Sequence, residues 1–137
     1  MRSSILTNYT DDTFLATIQA NLRECKSFCF SVSFIKKAGL DLLSNDIRAA
    51  VERGATGKLI TSTYQNFTDI ESLRWFFNLA SSFSNFECHI DDECFYDIRT
   101  YSTNGFHTKG YIFEFDERPI CRAQTIVRLC YNKQNRI

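Results

Sequence analysis

The spacing of apolar residues along the chain predicts three helices and several short strands. Apolar side chains recur every three or four positions over 12–25, 40–51 and 70–80, which is the period of one helix face. Bulky side chains alternate with Cys and Ser over 28–34, which is the period of a strand. Short apolar runs at 58–61, 86–90 and 106–113 predict further strands, and 125–129 is a possible last one.

Strands that alternate with helices in this order predict βαβ units, a mostly parallel sheet and right-handed crossovers.

Residues at the helix ends also match known capping signals. Asp12 places an acid in the first turn of the first helix, and Gly54 suits the left-handed position after the second. Residues 68–71 (Thr-Asp-Ile-Glu) match a capping box before the third helix. Trp75 lies outside the inward-facing apolar stripe of the third helix and is expected to be a partly buried packing residue. That stripe consists of Ile70, Leu73, Phe76, Phe77 and Ala80.

The composition favours a single globular domain that spans residues 1–137. The chain has 137 residues, 44% hydrophobic residues and 13 Phe, which suits a packed core. Sixteen basic and sixteen acidic residues leave no net charge, which argues against the broad positive field of a strong free-standing nucleic-acid binder. Six cysteines without a secretory signal or a Cys-x-x-Cys pair predict a reducing, cytoplasmic compartment and no metal site. No apolar run is long enough to span a membrane.

One stretch of the chain contains side chains that suggest a catalytic function. His107 and Lys109 stand two positions apart at the start of an aromatic-rich strand. Because strand side chains alternate faces, both point the same way, followed in that row by Tyr111 and Phe113, with Glu114 on the other side. An imidazole can act as nucleophile, acid or base, and a fixed ammonium attracts an oxyanion such as phosphate. The pair therefore suits phosphoryl chemistry without a metal or cofactor.

His107-x-Lys109, followed by Glu114, resembles the signature of the phospholipase D superfamily, His-x-Lys-x4-Asp. Together with the segments 31–40 and 59–69, it is similar to the phospholipase D-like nuclease domain at the N-terminus of bacterial superfamily-2 (DEAD/DEAH-box) helicases and in restriction endonucleases. The resemblance runs from about residue 5 to residue 115. It implies an α/β/α sandwich and a metal-independent phosphodiesterase acting on nucleic acid, DNA above all, beside a helicase or restriction partner.

The resemblance also assigns roles. His107 would attack phosphorus to form a phosphohistidine, and Lys109 would hold the non-bridging phosphate oxygens. Glu114 would support Lys109 or a nearby backbone donor. A complete site in this superfamily uses two His-x-Lys motifs, so this chain would act as a homodimer in which the second histidine protonates the leaving oxygen.

Polar residues at strand ends are candidate substrate contacts, because ligands of open α/β sheets bind outside the carboxyl ends of strands. For the loop after the second strand the alternative is an ordinary hydrogen-bonded turn. For Ser33 the alternative is a small residue that makes room for a packed helix. The candidates are Ser33, Thr63, Tyr64, Gln65 and Asn66.

The chain departs from the family after its signature strand. It has no glycine after Gly110 and no serine after Ser102, so the glycine-rich turn that approaches phosphate is missing, and the basic tail 117–137 is atypical. The chain is therefore interpreted as a truncated or frame-altered domain. The alternative function is a degenerate domain that serves as a dimerisation or DNA-docking module. A lipid phosphodiesterase and a metal-dependent nuclease built on Asp91, Asp92 and Glu93 are weaker alternatives.

Overall fold

The computed structural model describes residues 13–63, 66–91 and 108–116, together with the backbone of 123–127. Helices and strands alternate through the first two thirds of the chain, which confirms the predicted α/β class. The helices are α1 (Phe14–Glu24), α2 (Lys37–Glu52) and α3 (Ile70–Ser82). The strands are β1 (Ser27–Val32), β2 (Thr56–Ser62), β3 (Phe86–Asp91), β4 (Lys109–Glu114) and β5 (Ala123–Val127).

The strands form one five-stranded sheet in the order β3-β2-β1-β4-β5. The β1–β2 and β2–β3 pairs are parallel, as consecutive βαβ units require. Strand β4 is antiparallel to β1 on one side and to β5 on the other. The sheet is therefore mixed, as predicted, and β4 is the strand that runs against the other four.

One face of the sheet carries the aromatic core and all three helices. Phe28 and Phe30 of β1 lie opposite Phe113 and Tyr111 of β4, and Phe113 is completely buried. The ring of Phe14 from α1 meets Tyr111 at 5.2 Å between centroids. From the other helices, the core takes Ile47, Ala50 and Val51 of α2 and Phe76 and Leu79 of α3.

The opposite face, which we call the open face, is covered by no helix among the described residues. The α/β/α sandwich of the family needs a second helical layer there, and that layer stays a prediction. Ile112 is 41% exposed on this face, and Glu87 joins Lys58 and His89 through contacts of 3.0 Å each. By strand alternation the open face includes Ser27, Cys29, Ser31, Lys58, Ile60, Glu87, His89, Gly110, Ile112 and Glu114.

Two helix ends follow from local chemistry. Helix α1 begins two residues later than the predicted start at residue 12, because Thr13 is its N-cap residue and the Oγ1 of Thr13 accepts a hydrogen bond from the Ala16 backbone N–H at 3.1 Å. Helix α2 ends as predicted: Gly54 takes φ 103°, and the Ala55 N–H then donates to the carbonyl of Ala50.

Helix α3 corrects two predictions. Ile70 and Phe77 were placed on its inward stripe but are 73% and 68% exposed, while Ser72 is fully buried. A polar residue therefore occupies a position on the buried face, and the apolar spacing misplaced that face. Trp75 is partly buried, with its ring 4.9 Å from that of Phe76 and the Arg48 guanidinium 5.7 Å from its centroid, which confirms a packing role.

Candidate functional site

The carboxyl ends of β1 and β2 meet the amino end of β4 at one edge of the sheet. The register pairs Val32, the last residue of β1, with Lys109, the first residue of β4. Ligands of open α/β sheets bind outside such strand ends. We call this place the strand-end edge; its described residues are Ser33, Phe34, Thr63, Asn66, Phe67, Thr108 and Lys109.

Three of the predicted site residues, His107, Tyr64 and Gln65, lie outside the described residues. His107 directly precedes Thr108 in the chain. Its role as nucleophile stays a prediction, and so do the substrate contacts of Tyr64 and Gln65.

Ser33 ties the end of β1 to the beginning of β4. Its backbone N–H and its Oγ both donate to the carbonyl oxygen of Thr108, at 2.9 and 3.1 Å. Its own carbonyl accepts from the Oγ of Ser62 at 2.7 Å, and Ser33 is 1% exposed. Ser33 therefore links the ends of β1 and β2 to the start of β4, and its direct contact with a substrate stays a prediction.

Lys109 differs from two nearby lysines in having no carboxylate partner among the described residues. Lys36 pairs with Asp69 at 3.0 Å and Lys37 pairs with Asp41 at 2.8 Å. Within the described part of the chain, Lys109 forms no ion pair with a carboxylate, and its Nζ lies 5.4 Å from the ring centroid of Phe34. An ammonium in this setting can bind an anion without first giving up a carboxylate partner.

Glu114 lies at the far end of β4 from Lys109. The two residues are five positions apart along the strand, a distance of about 17 Å, and the odd spacing puts them on opposite faces. The Oε2 of Glu114 accepts a hydrogen bond from the Oγ of Ser27 at 2.6 Å on the open face. Glu114 therefore does not contact Lys109 in this geometry, and its other expected role, the support of a nearby backbone donor, stays a prediction.

Thr63 and Asn66 form the turn that leaves β2. The Thr63 N–H donates to the Asp91 carbonyl at 3.3 Å, and the Thr63 carbonyl accepts from the Asn66 N–H at 3.0 Å. Asn66 has a φ of 55°, a left-handed conformation that Asn tolerates better than most residues, and it is exposed. The backbone thus forms the ordinary hydrogen-bonded turn that the sequence analysis gave as the alternative for this loop. Substrate contact by either side chain stays a prediction.

The loops after β1 and β2 are joined by Thr68 and Asp69. The Oγ1 of Thr68 donates to the Ser62 carbonyl at 2.9 Å and accepts from the Ile35 N–H at 3.3 Å, and the Asp69 N–H donates to the Ile35 carbonyl at 2.9 Å. The predicted capping box is therefore wrong: Asp69 is the N-cap residue of α3 and makes no side-chain cap bond to that helix.

The Asp69 carboxylate instead serves the neighbouring helix. It accepts from the backbone N–H of Lys37, the first residue of α2, at 2.8 Å and from the Nζ of Lys36 at 3.0 Å. These hydrogen bonds, with the backbone donor contributing most, lower the pKa of Asp69 below its ordinary value. Two consecutive loops at the strand-end edge are thus held together by both main-chain and side-chain hydrogen bonds.

Two aromatic residues at this edge were missed by the sequence reasoning. Phe34 and Phe67 are 37% and 46% exposed, and their rings meet edge to face with centroids 5.8 Å apart. Phe34 continues the alternating bulky row of β1 and therefore looked like a core residue. The available signal was Phe67, an aromatic residue in a polar loop with no strand or helix period to bury it.

Among the described residues, no group of three or more His, Cys, Asp and Glu side chains is placed to hold a metal ion. None of the described helices has the length and apolar character needed to cross a membrane. The sequence matches no protein-family model and no curated protein.

Proposed function

We propose that this domain is a metal-independent phosphodiesterase that acts on nucleic acid, DNA above all. In this proposal the domain has the phospholipase D-like α/β/α fold, and its partner is a helicase or a restriction system. The observation that carries the proposal is the position of Lys109. Its ammonium stands at the carboxyl edge of the parallel strands, has no carboxylate partner among the described residues, and follows His107 by two positions.

In the proposed reaction the imidazole of His107 attacks phosphorus. A nitrogen–phosphorus bond forms as the bond from phosphorus to the leaving oxygen breaks, and that oxygen takes a proton from His107 of the partner subunit. Water then attacks the phosphohistidine and gives a proton to the imidazole of His107 of the partner subunit. The new phosphorus–oxygen bond forms as the phosphorus–nitrogen bond breaks, which releases the phosphomonoester and the free imidazole. Lys109 stabilises the negative charge that develops on the non-bridging oxygens.

Ser33 supports this arrangement through its hydrogen bonds to the backbone of Thr108. Both of its donors bind the Thr108 carbonyl, so the backbone between His107 and Lys109 is anchored to the end of β1. Rigid placement of a reacting group is itself a large contribution to rate, because it removes orientational freedom before the chemical step.

The test is cleavage of end-labelled single- and double-stranded DNA in excess chelator. Chelator-resistant cleavage should disappear in His107→Ala and fall by about 10²- to 10³-fold in Lys109→Met, the range seen when one charge-stabilising donor is removed. The matched control is Lys26→Met. Lys26 is an exposed lysine that precedes β1 at the opposite end of the strand and pairs with Asp116 at 3.3 Å. Equal cleavage by wild type and His107→Ala would refute the phosphohistidine mechanism.

The second candidate is a degenerate domain that serves as a dimerisation or DNA-docking module. The open face favours it, because Ile112 and its neighbours offer a sheet surface that no described helix covers. This candidate predicts salt-sensitive DNA binding without turnover, and binding by His107→Ala equal to that of wild type.

A further inference from the structure

The exposed rings of Phe34 and Phe67 lie beside the proposed phosphate-binding lysine. Single apolar residues on a protein surface are ordinary. Here two rings touch each other at 5.8 Å between centroids, and the Lys109 ammonium lies 5.4 Å from one of them. A nucleotide likewise places a flat aromatic base next to a phosphate.

The two rings are held by their loops rather than by a shared core. Phe34 is followed by Ile35, whose backbone N–H and carbonyl bond to Thr68 and Asp69, the two residues that follow Phe67. The salt bridge between Lys36 and Asp69 links the same two loops. The two loop segments that carry the rings are therefore held together before any ligand arrives, which lowers the entropic cost of ordering them on binding.

We propose that Phe34 and Phe67 form a stacking platform for an unpaired nucleobase, and that the site consequently takes single-stranded nucleic acid. This inference rests on the proposed function and names the substrate class of the same site. Stacking of bases on aromatic side chains is indifferent to sequence, because every base has a π face. In a duplex those faces are covered by neighbouring pairs, and exposing one requires unstacking.

Binding is measured by fluorescence polarisation in excess chelator, with every protein in the His107→Ala background so that no probe is cleaved. The probes are labelled oligo(dT) of about 16 nucleotides, at the upper end of known single-strand site sizes, an abasic deoxyribose-phosphate oligomer of equal length, and a blunt duplex. The abasic probe keeps the phosphates and lacks the bases. Phe34→Leu and Phe67→Leu keep apolar bulk and remove the ring.

The control variant is Phe77→Leu, which removes an exposed ring on α3 that lies outside the strand-end edge. Oligo(dT) is expected to bind about 5- to 150-fold more weakly to Phe34→Leu and to Phe67→Leu, the range for loss of one stacked base. Phe77→Leu should bind as its parent does. The abasic probe and the duplex should bind weakly and equally to all four proteins. Thermal unfolding confirms that each variant is folded.

Three results would overturn the platform: parental affinity of Phe34→Leu and Phe67→Leu for oligo(dT), equal affinity of the parent for oligo(dT) and the abasic probe, or no binding of oligo(dT). The cleavage assay separates this inference from the proposed function. Base-dependent binding without cleavage by the wild type would keep the platform and refute the phosphodiesterase. Cleavage accompanied by base-independent binding would refute the platform alone.

Discussion

At the scale of single residues, the core leaves no room at Gly57. A Cβ on this glycine would stand 2.5 Å from the Phe28 ring and 2.5 Å from the Phe86 ring. Both rings belong to the strands that flank β2, and Phe86 also stacks on Phe76 of α3. Neither ring can therefore move without disturbing its neighbours in the core.

Gly57→Ala is expected to lower the free energy of unfolding by about 1–3 kcal/mol, the usual cost of overpacking a core. Gly39→Ala is the matched control: Gly39 lies in α2 with nothing within 4 Å of an added Cβ, so the change should raise stability by up to about 1 kcal/mol. Urea denaturation followed by circular dichroism measures both variants. Equal midpoints for the two would contradict this description of the core.

At the scale of elements, the amino end of α2 depends on a residue from another loop. Lys36, the N-cap residue of α2, makes no side-chain cap bond, and the Asp69 carboxylate takes that function from the loop before α3. A carboxylate also interacts favourably with the positive end of a helix dipole. One side chain therefore couples the start of α2 to the start of α3.

This coupling predicts a dependence of stability on pH. Because the folded state lowers the pKa of Asp69, the stability it contributes is present above the unfolded pKa of 3.8 and is lost as pH falls through the folded value. Urea midpoints of wild type should thus fall more steeply below about pH 4 than those of Asp69→Asn, which has no carboxylate to protonate. Parallel curves for the two proteins would contradict the capping role.

These elements also show how much of the fold the sequence predicts. Periodicity located the three described helices and strands β1 to β4, because each buries a face with its own repeat, and the possible strand at 125–129 overlaps β5. It failed at α3, where Ser72 is buried and Phe77 is exposed, since spacing alone does not say which residues meet the sheet. It also failed at Thr68 and Asp69, which form hydrogen bonds with residues 33 and 32 positions earlier in the chain, after β1. Such bonds between distant segments are decided by tertiary structure, which a local motif does not contain.

At the scale of the whole molecule, the open face and the single His-x-Lys motif bear on association. A sheet face that keeps Ile112 exposed offers apolar area, and the proposed mechanism needs a second histidine from another copy. A two-fold axis would supply that histidine to a shared site.

The homodimer is tested by subunit mixing. Sedimentation should give twice the chain mass of 15.9 kDa. When wild type is co-expressed with an equal amount of His107→Ala, the cleavage activity per subunit should fall to about a quarter of the pure wild-type value, because only dimers with two histidines are active. A fall to about a half would mean that subunits act independently and would contradict the shared site.

The late position of β4 in the chain affects the order in which the protein folds. Ser27 of β1 and Glu114 of β4 are 87 positions apart and yet hydrogen-bonded, whereas β1, β2 and β3 pair through much shorter loops. During synthesis the first three strands and all described helices leave the ribosome before β4 does, and closing the longer loop costs more entropy. Until β4 arrives, β1 presents an unpaired edge that can recruit a strand from another chain. We therefore expect the strand-end edge to form only after β4 has paired with β1, so that a nascent chain interrupted before residue 109 has most of the core and no site.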